Sequence, residues 1–88
     1  MLQKISVIIP FYNEEGNIIP LYKKLKTSLD RDFEDFDYEI IMVNDGSSDK
    51  SWPEIKQCSL MDQKIIGLKL NKNYGQSIAM DAGFKKAS

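Results

Sequence analysis

Histidine is absent from the 88-residue sequence and Cys58 is its one cysteine, which excludes an internal disulfide and the commonest zinc-ligand patterns. That usage fits a reducing, cytoplasmic compartment. Cys58 itself is expected to pack on a helix, with no chemistry of its own. Long apolar runs are also missing. Stretches such as Val7-Ile8-Ile9 fall far short of the roughly 18 residues of a membrane helix, and Met1-Leu2-Gln3-Lys4 does not open a signal peptide, so the segment reads as soluble. Charge of one sign is not in excess either: 12 basic residues face 13 acidic ones, for a net charge of −1. Nothing therefore recommends nucleic acid as a partner, and any phosphate has to be bound by local geometry. No repeat, linker or low-complexity tract interrupts the chain. The 42% hydrophobic, 28% charged composition is that of a folding domain with one core.

Three aliphatic or β-branched runs, Ile5 to Ile9, Tyr38 to Val43 and Ile65 to Leu70, are each followed by a stretch with helical spacing. The resulting β-α-β-α-β-α order predicts an α/β fold of three layers, a parallel sheet with helices on both faces. The first helix is expected to start near Asn17, with Pro20 in its first turn and Ile18, Tyr22, Leu25 and Leu29 as its buried seam. Asp30 to Asp37 reads as an acidic surface loop. Ser51-Trp52-Pro53-Glu54 has the form of a capping box that starts the second helix. The third should follow Tyr74-Gly75 and turn Ile78, Ala79, Ala82 and Ala87 toward the sheet, with Gly83 permitting close backbone approach. The chain ends where a fourth strand would be expected, so residues 1–88 read as an incomplete domain.

In doubly wound sheets ligands sit at the carboxyl ends of strands. The first strand runs into Pro10-Phe11-Tyr12-Asn13-Glu14-Glu15-Gly16 and the second into Asn44-Asp45-Gly46-Ser47-Ser48-Asp49. Neither is a Walker phosphate loop or a dinucleotide fingerprint. Tyr12 offers a face for a nucleobase, Asp45 a carboxylate for a ring N–H, and Glu14 an acceptor for ribose hydroxyls. Taken singly, Pro10 and Tyr12 also read as a strand end and Asp45-Gly46 as an ordinary turn. Their joint position on two adjacent strands favours the nucleotide reading.

The two stretches Val7-Ile8-Ile9-Pro10-Phe11-Tyr12-Asn13-Glu14-Glu15 and Ile41-Met42-Val43-Asn44-Asp45-Gly46-Ser47-Ser48-Asp49 are similar to the paired signature that opens family 2 glycosyltransferases of the GT-A fold. A third stretch, Leu70 to Phe84 with Asn71-Lys72-Asn73-Tyr74-Gly75-Gln76, resembles the subgroup that transfers sugars to polyprenyl phosphates, dolichyl or undecaprenyl. The resemblance implies an incomplete Rossmann-like nucleotide-sugar-binding domain in which Pro10, Tyr12, Glu14, Val43 and Asp45 line the nucleotide pocket. Gly46 would adopt a left-handed turn that brings Asp45 into the cleft. Asn44 stands where relatives often carry Asp. Gln76 is open between the sugar-diphosphate side of the cleft and a plain turn. Gly75 reads as the turn itself, Lys69 and Lys72 as solvated surface, Trp52 as a packing anchor, and Met42, Met61 and Met80 as scattered core or surface residues.

The family's Asp-x-Asp motif, which holds Mg²⁺ or Mn²⁺ in the full-length enzyme, would come after Ser88. No metal is expected on the present residues, and the piece alone is expected to be inactive. The implied donor is a UDP- or GDP-linked sugar. The implied acceptor is polyprenyl phosphate, reached at the cytoplasmic face of a membrane. The resembled sheet order, third, second, first, leaves the first strand as an exposed edge, so a homo-oligomer is expected. Other readings are a polysaccharide or cell-envelope glycan transferase and a non-catalytic nucleotide-binding or assembly module. A sugar-nucleotide pyrophosphorylase is disfavoured, since it would carry a Gly-rich loop after the first strand and Pro10-Phe11-Tyr12-Asn13-Glu14 is not one.

Overall fold

The three aliphatic runs and the three helically spaced stretches each form the element their pattern predicts in the computed structural model, which describes residues 3–87. Met1, Leu2 and Ser88 lie outside the described residues. The strands are β1 (Gln3–Phe11), β2 (Phe36–Asp45) and β3 (Ile65–Leu70), and the helices are α1 (Ile18–Asp32), α2 (Ser51–Met61) and α3 (Gln76–Lys86). β1 carries on through Pro10 into Phe11, which an outer strand tolerates because the missing N–H need not belong to the ladder.

The sheet is parallel, in the order β1-β2-β3. Phe11 lies beside Asn44, and Asp45 beside Leu70, so the three carboxyl-terminal tips end together. The central strand β2 is buried without a break from Tyr38 to Asp45, whereas Ile5 to Pro10 of β1 are only half-buried. Side chains alternate between two cores. Ile40 and Met42 join Phe11, Ile18, Tyr22 and Ile55 under α1 and α2, while Ile41 and Val43 pack with Ala79 under α3. Two right-handed crossovers in the same direction place α1 and α2 on one face; α3 returns over β1 and β2 on the other.

Several local expectations are corrected. Asp30 to Asp37 is not a loop: α1 runs through Asp32 and β2 begins at Phe36, which leaves residues 33–35 as the connection. Two of its acidic residues lie on the helix, where Tyr38 Oη donates to Asp30 at 2.9 Å and Arg31 pairs with Asp32, and Asp37 on β2 pairs with Lys64. On α3, Ala79 and Gly83 are buried but Ile78 is 53% exposed. Contact runs along residues four apart, and a residue adjacent to Ala79 lies about 100° around the helix. The close approach at Gly83 is present, since a Cβ there would fall 2.5 Å from Ile8 Cγ2 and 3.0 Å from Val43 Cγ2. Among the described residues no helix is long and apolar enough to cross a membrane.

Candidate functional site

Because β1 and β2 are neighbours in parallel register, the loops that leave them begin side by side. A cleft of about 320 Å³ opens there, and Pro10, Tyr12, Glu14, Asp45 and Gln76 all line it. Tyr12 is 49% exposed, so its ring is available to a ligand. Gln76 reaches the cleft as the first residue of α3. Val43 does not line it: the side chain is fully buried and packs in the core beneath α3. A β-strand sends successive side chains to opposite faces, and residue 43 points with residue 41 into that core. Asn73 and Gly75 line the cleft as well. From sequence the turn is the favoured reading of Gly75 over the sugar-diphosphate side of the cleft, and Asn73 has no role, although both lie just past the third strand tip, where the same end-of-strand logic applies.

Asp45 organises this end of the sheet. It is 3% exposed, and its carboxylate accepts three hydrogen bonds from the segment after β3. Tyr74 N–H donates to Oδ1 at 2.9 Å, while Asn73 Nδ2 and Gly75 N–H donate to Oδ2 at 3.0 and 3.1 Å. Asn73 Nδ2 also donates to the Asp45 carbonyl at 3.1 Å. A carboxylate offers about four acceptor positions, so one remains for a ligand donor. Gly46 makes this closure possible. Its φ is +66°, and a Cβ there would lie 2.1 Å from the Lys72 carbonyl carbon and 2.2 Å from Asn73 N. Only a residue without a side chain lets the two loops touch. Asn44, also buried, accepts from Ser47 N–H at 3.3 Å.

The expected capping box at the start of α2 is not formed, because its two side chains serve the neighbouring loop. Ser51 Oγ accepts from Glu14 N–H at 2.9 Å and donates to Asp49 at 2.6 Å. The Glu54 carboxylate accepts from Gly16 N–H and Ile19 N–H, both at 2.7 Å. Asn17 stands at the N-cap of α1 as expected but makes no capping bond; its Nδ2 donates to Glu14 instead. The Ser51 hydroxyl, with further bonds from backbone amides, holds Asp49 below the usual carboxylate range.

The remaining candidates are structural. Trp52 is partly buried against the core, with Lys69 Nζ 5.9 Å from its ring centre. Lys72 lies over Tyr74 at 5.2 Å. Met42 is fully buried, while Met61 and Met80 are exposed. Cys58 is buried, and that burial, followed by the charge of Glu54, pushes its thiol up. Among the described residues no group of three or more His, Cys, Asp or Glu side chains is placed to share a metal ion. The carboxylates nearest the cleft are instead committed to N–H and O–H donors.

Comparison with known proteins gives the family and the fold. The profile of the family described as Glycosyl transferase family 2 matches residues 6–88. An undecaprenyl-phosphate 4-deoxy-4-formamido-L-arabinose transferase of Aeromonas hydrophila is 37% identical over 87 residues, which are 98% of this chain and 26% of the relative. Its counterpart in Proteus mirabilis is 40% identical over 87 residues with the same coverage. The chain thus spans about a quarter of the length of these relatives. Among solved structures, a mannosyltransferase of Pyrobaculum calidifontis in complex with GDP-Man and Mn²⁺ superposes with a TM-score of 0.77 at 17% identity, over 100% of this chain and 25% of that one. That likeness is one of fold, an incomplete GT-A domain.

Proposed function

The chain belongs to glycosyl transferase family 2, and from that premise we propose that its strand-tip cleft holds the nucleotide of a UDP- or GDP-linked sugar. The observation that carries this reading is the convergence of Tyr12 and Glu14, from the loop after β1, and Asp45, at the tip of β2, on one cleft. Asp45 has one acceptor position left for a base N–H, the half-exposed Tyr12 ring packs against the base, and Glu14 accepts from ribose hydroxyls. Pro10 forms part of the wall. Gln76 takes the sugar-diphosphate side, at a helix start whose unpaired amides favour anions. Titration calorimetry of the protein with UDP and with GDP tests the assignment. Saturable binding of one of them, weakened by Tyr12→Ala, is the expected result; heat from neither would end the reading.

For the whole protein the proposal is an inverting transferase that moves a sugar from the nucleotide donor to polyprenyl phosphate, at the cytoplasmic face of a membrane. The names borne by relatives at 37 and 40% identity support that acceptor over a polysaccharide or cell-envelope glycan. Mg²⁺ or Mn²⁺ at the diphosphate would neutralise the leaving group. The described residues do not fit such an ion, so its ligands would come from elsewhere in the protein. Residues 1–88 alone are accordingly proposed to be inactive, and sugar transfer by the purified 88-residue chain would overturn that. The alternative of a non-catalytic nucleotide-binding or assembly module predicts the same titration and no transfer by the whole protein.

A further inference from the structure

Residues 12–17, between β1 and α1, present Tyr12 and Glu14 to the cleft, yet their amides are held by side chains from the other side of the strand tips. Asn13 N–H donates to Ser47 Oγ at 3.0 Å, Glu14 N–H to Ser51 Oγ at 2.9 Å and Glu15 N–H to Asp49 Oδ2 at 3.1 Å. Glu54 closes the series by taking Gly16 N–H and Ile19 N–H on its two oxygens. Three bonds run the other way, from Ser48 N–H and Ser48 Oγ to Asn13 Oδ1 and from Lys50 N–H to Glu15 Oε1. Glu54 stands out in this set. α1 has no acidic residue in its first turn and no capping bond from Asn17, so a carboxylate from another helix satisfies the amides that a helix start leaves open. That carboxylate is mounted rigidly, since the adjacent Ile55 and the next-turn Cys58 are fully buried.

We infer that Glu54 is a positioning residue for the nucleotide cleft, its two oxygens fixing the β1–α1 loop so that Tyr12 and Glu14 face Asp45. This rests on the nucleotide reading above. Glu54 touches no part of the cleft; it lines a separate groove of about 460 Å³ between the starts of α1 and α2, and acts only through the backbone it holds. That groove is not a second site, because the carboxylate in its wall is already committed to the two amides.

Glu54→Gln keeps the size of the side chain but turns an –NH₂ toward a backbone N–H. In the protein made from its complete reading frame, the dissociation constant for whichever of UDP and GDP the wild type binds should rise about tenfold. That is within the roughly hundredfold that a misplacement of about 1 Å can cost. A circular-dichroism melt fixes a temperature at which both proteins are folded. Tyr12→Ala should also weaken binding, and the double variant should lose well under the product of the two effects, because groups acting through one another are not additive. Where E54Q does not fold, Glu54→Asp, which keeps the charge but draws it back by one methylene, carries the same expectation. Unchanged affinity in the folded variant, or a fully multiplicative double variant, overturns the inference. Wild-type protein that binds neither nucleotide overturns the nucleotide reading instead, and the inference with it.

Discussion

Replacing Asp45 by Asn exchanges one carboxylate oxygen for an amide donor. Whichever way the new side chain turns, its –NH₂ confronts the N–H of Tyr74 or the donors of Asn73 and Gly75. A buried donor left without an acceptor costs about 1–3 kcal/mol. D45N is therefore expected to lower stability by about that amount in urea unfolding and to abolish nucleotide binding in the same preparation. Gly46 is the more severe position. An alanine there would carry its Cβ into the Lys72–Asn73 peptide at a φ of +66°, and backbone cannot step aside as a side chain can. G46A should lose more than about 4 kcal/mol, the range of exceptional single substitutions, or fail to fold. A G46A protein that unfolds at the wild-type urea concentration would contradict the contact.

At the scale of elements, α1 is fastened by Glu54 at its start, by Asp62 along its length and by Tyr38 near its end. Asp62, at the end of α2, accepts from Tyr22 Oη at 2.9 Å and from Lys26 Nζ at 3.3 Å, and its other oxygen accepts from Lys64 N–H at 2.9 Å. Burial acts to raise its pKa, but bonds from the Lys64 amide, Tyr22 and Lys26 outweigh it and hold the carboxyl below its usual range. Tyr22 moves the opposite way, pushed up to about 12 by burial and by its bond to Asp62. A carboxyl that ionises more readily in the folded state contributes fully above its unfolded pKa of about 3.9, and the contribution is lost as pH falls through the lower folded value. The melting temperatures of wild type and D62N should thus differ most near neutral pH and draw together as pH falls below the usual carboxylate range and through the lowered folded value. A gap that stays constant with pH would exclude the charge as its source.

These long-range fastenings also mark where the sequence is legible. The strands, the seam of α1 and the placing of Tyr12, Glu14 and Asp45 at strand ends come from runs of apolar residues and from the residues just past them, patterns contained within a few positions. Ser51 and Glu54 match a local capping pattern equally well. The amides they accept from, however, lie 35 or more residues earlier in the chain, and no spacing rule within a helix start reveals that. Val43 belongs to the core rather than the cleft because a strand's alternation decides which neighbour of Asp45 faces inward. Asn73 escapes a reading by spacing because its importance comes from Gly46, which allows its backbone to touch the tip of β2.

Over the whole molecule the two edges of the sheet differ. β3 is six residues long and carries the exposed Lys69, features that discourage pairing with another chain. β1 is nine residues long and half-buried through its aliphatic stretch, and its Ile8 shares a groove with Phe84, which is 73% exposed. Self-association, where it occurs, is therefore expected through the β1 side. Sedimentation velocity on the 88-residue chain should show a mass that climbs with concentration, and a mass fixed at 10.1 kDa throughout would refute the association.

Cys58 gives the molecule an internal clock. The sulfur is sealed beneath α2 and has no second thiol to compete for reagent, so a disulfide-exchange dye can modify it only during excursions in which α2 lifts from the sheet. The rate of colour development, measured with nucleotide present and absent, would then report how firmly an occupied cleft clamps a helix that never touches it.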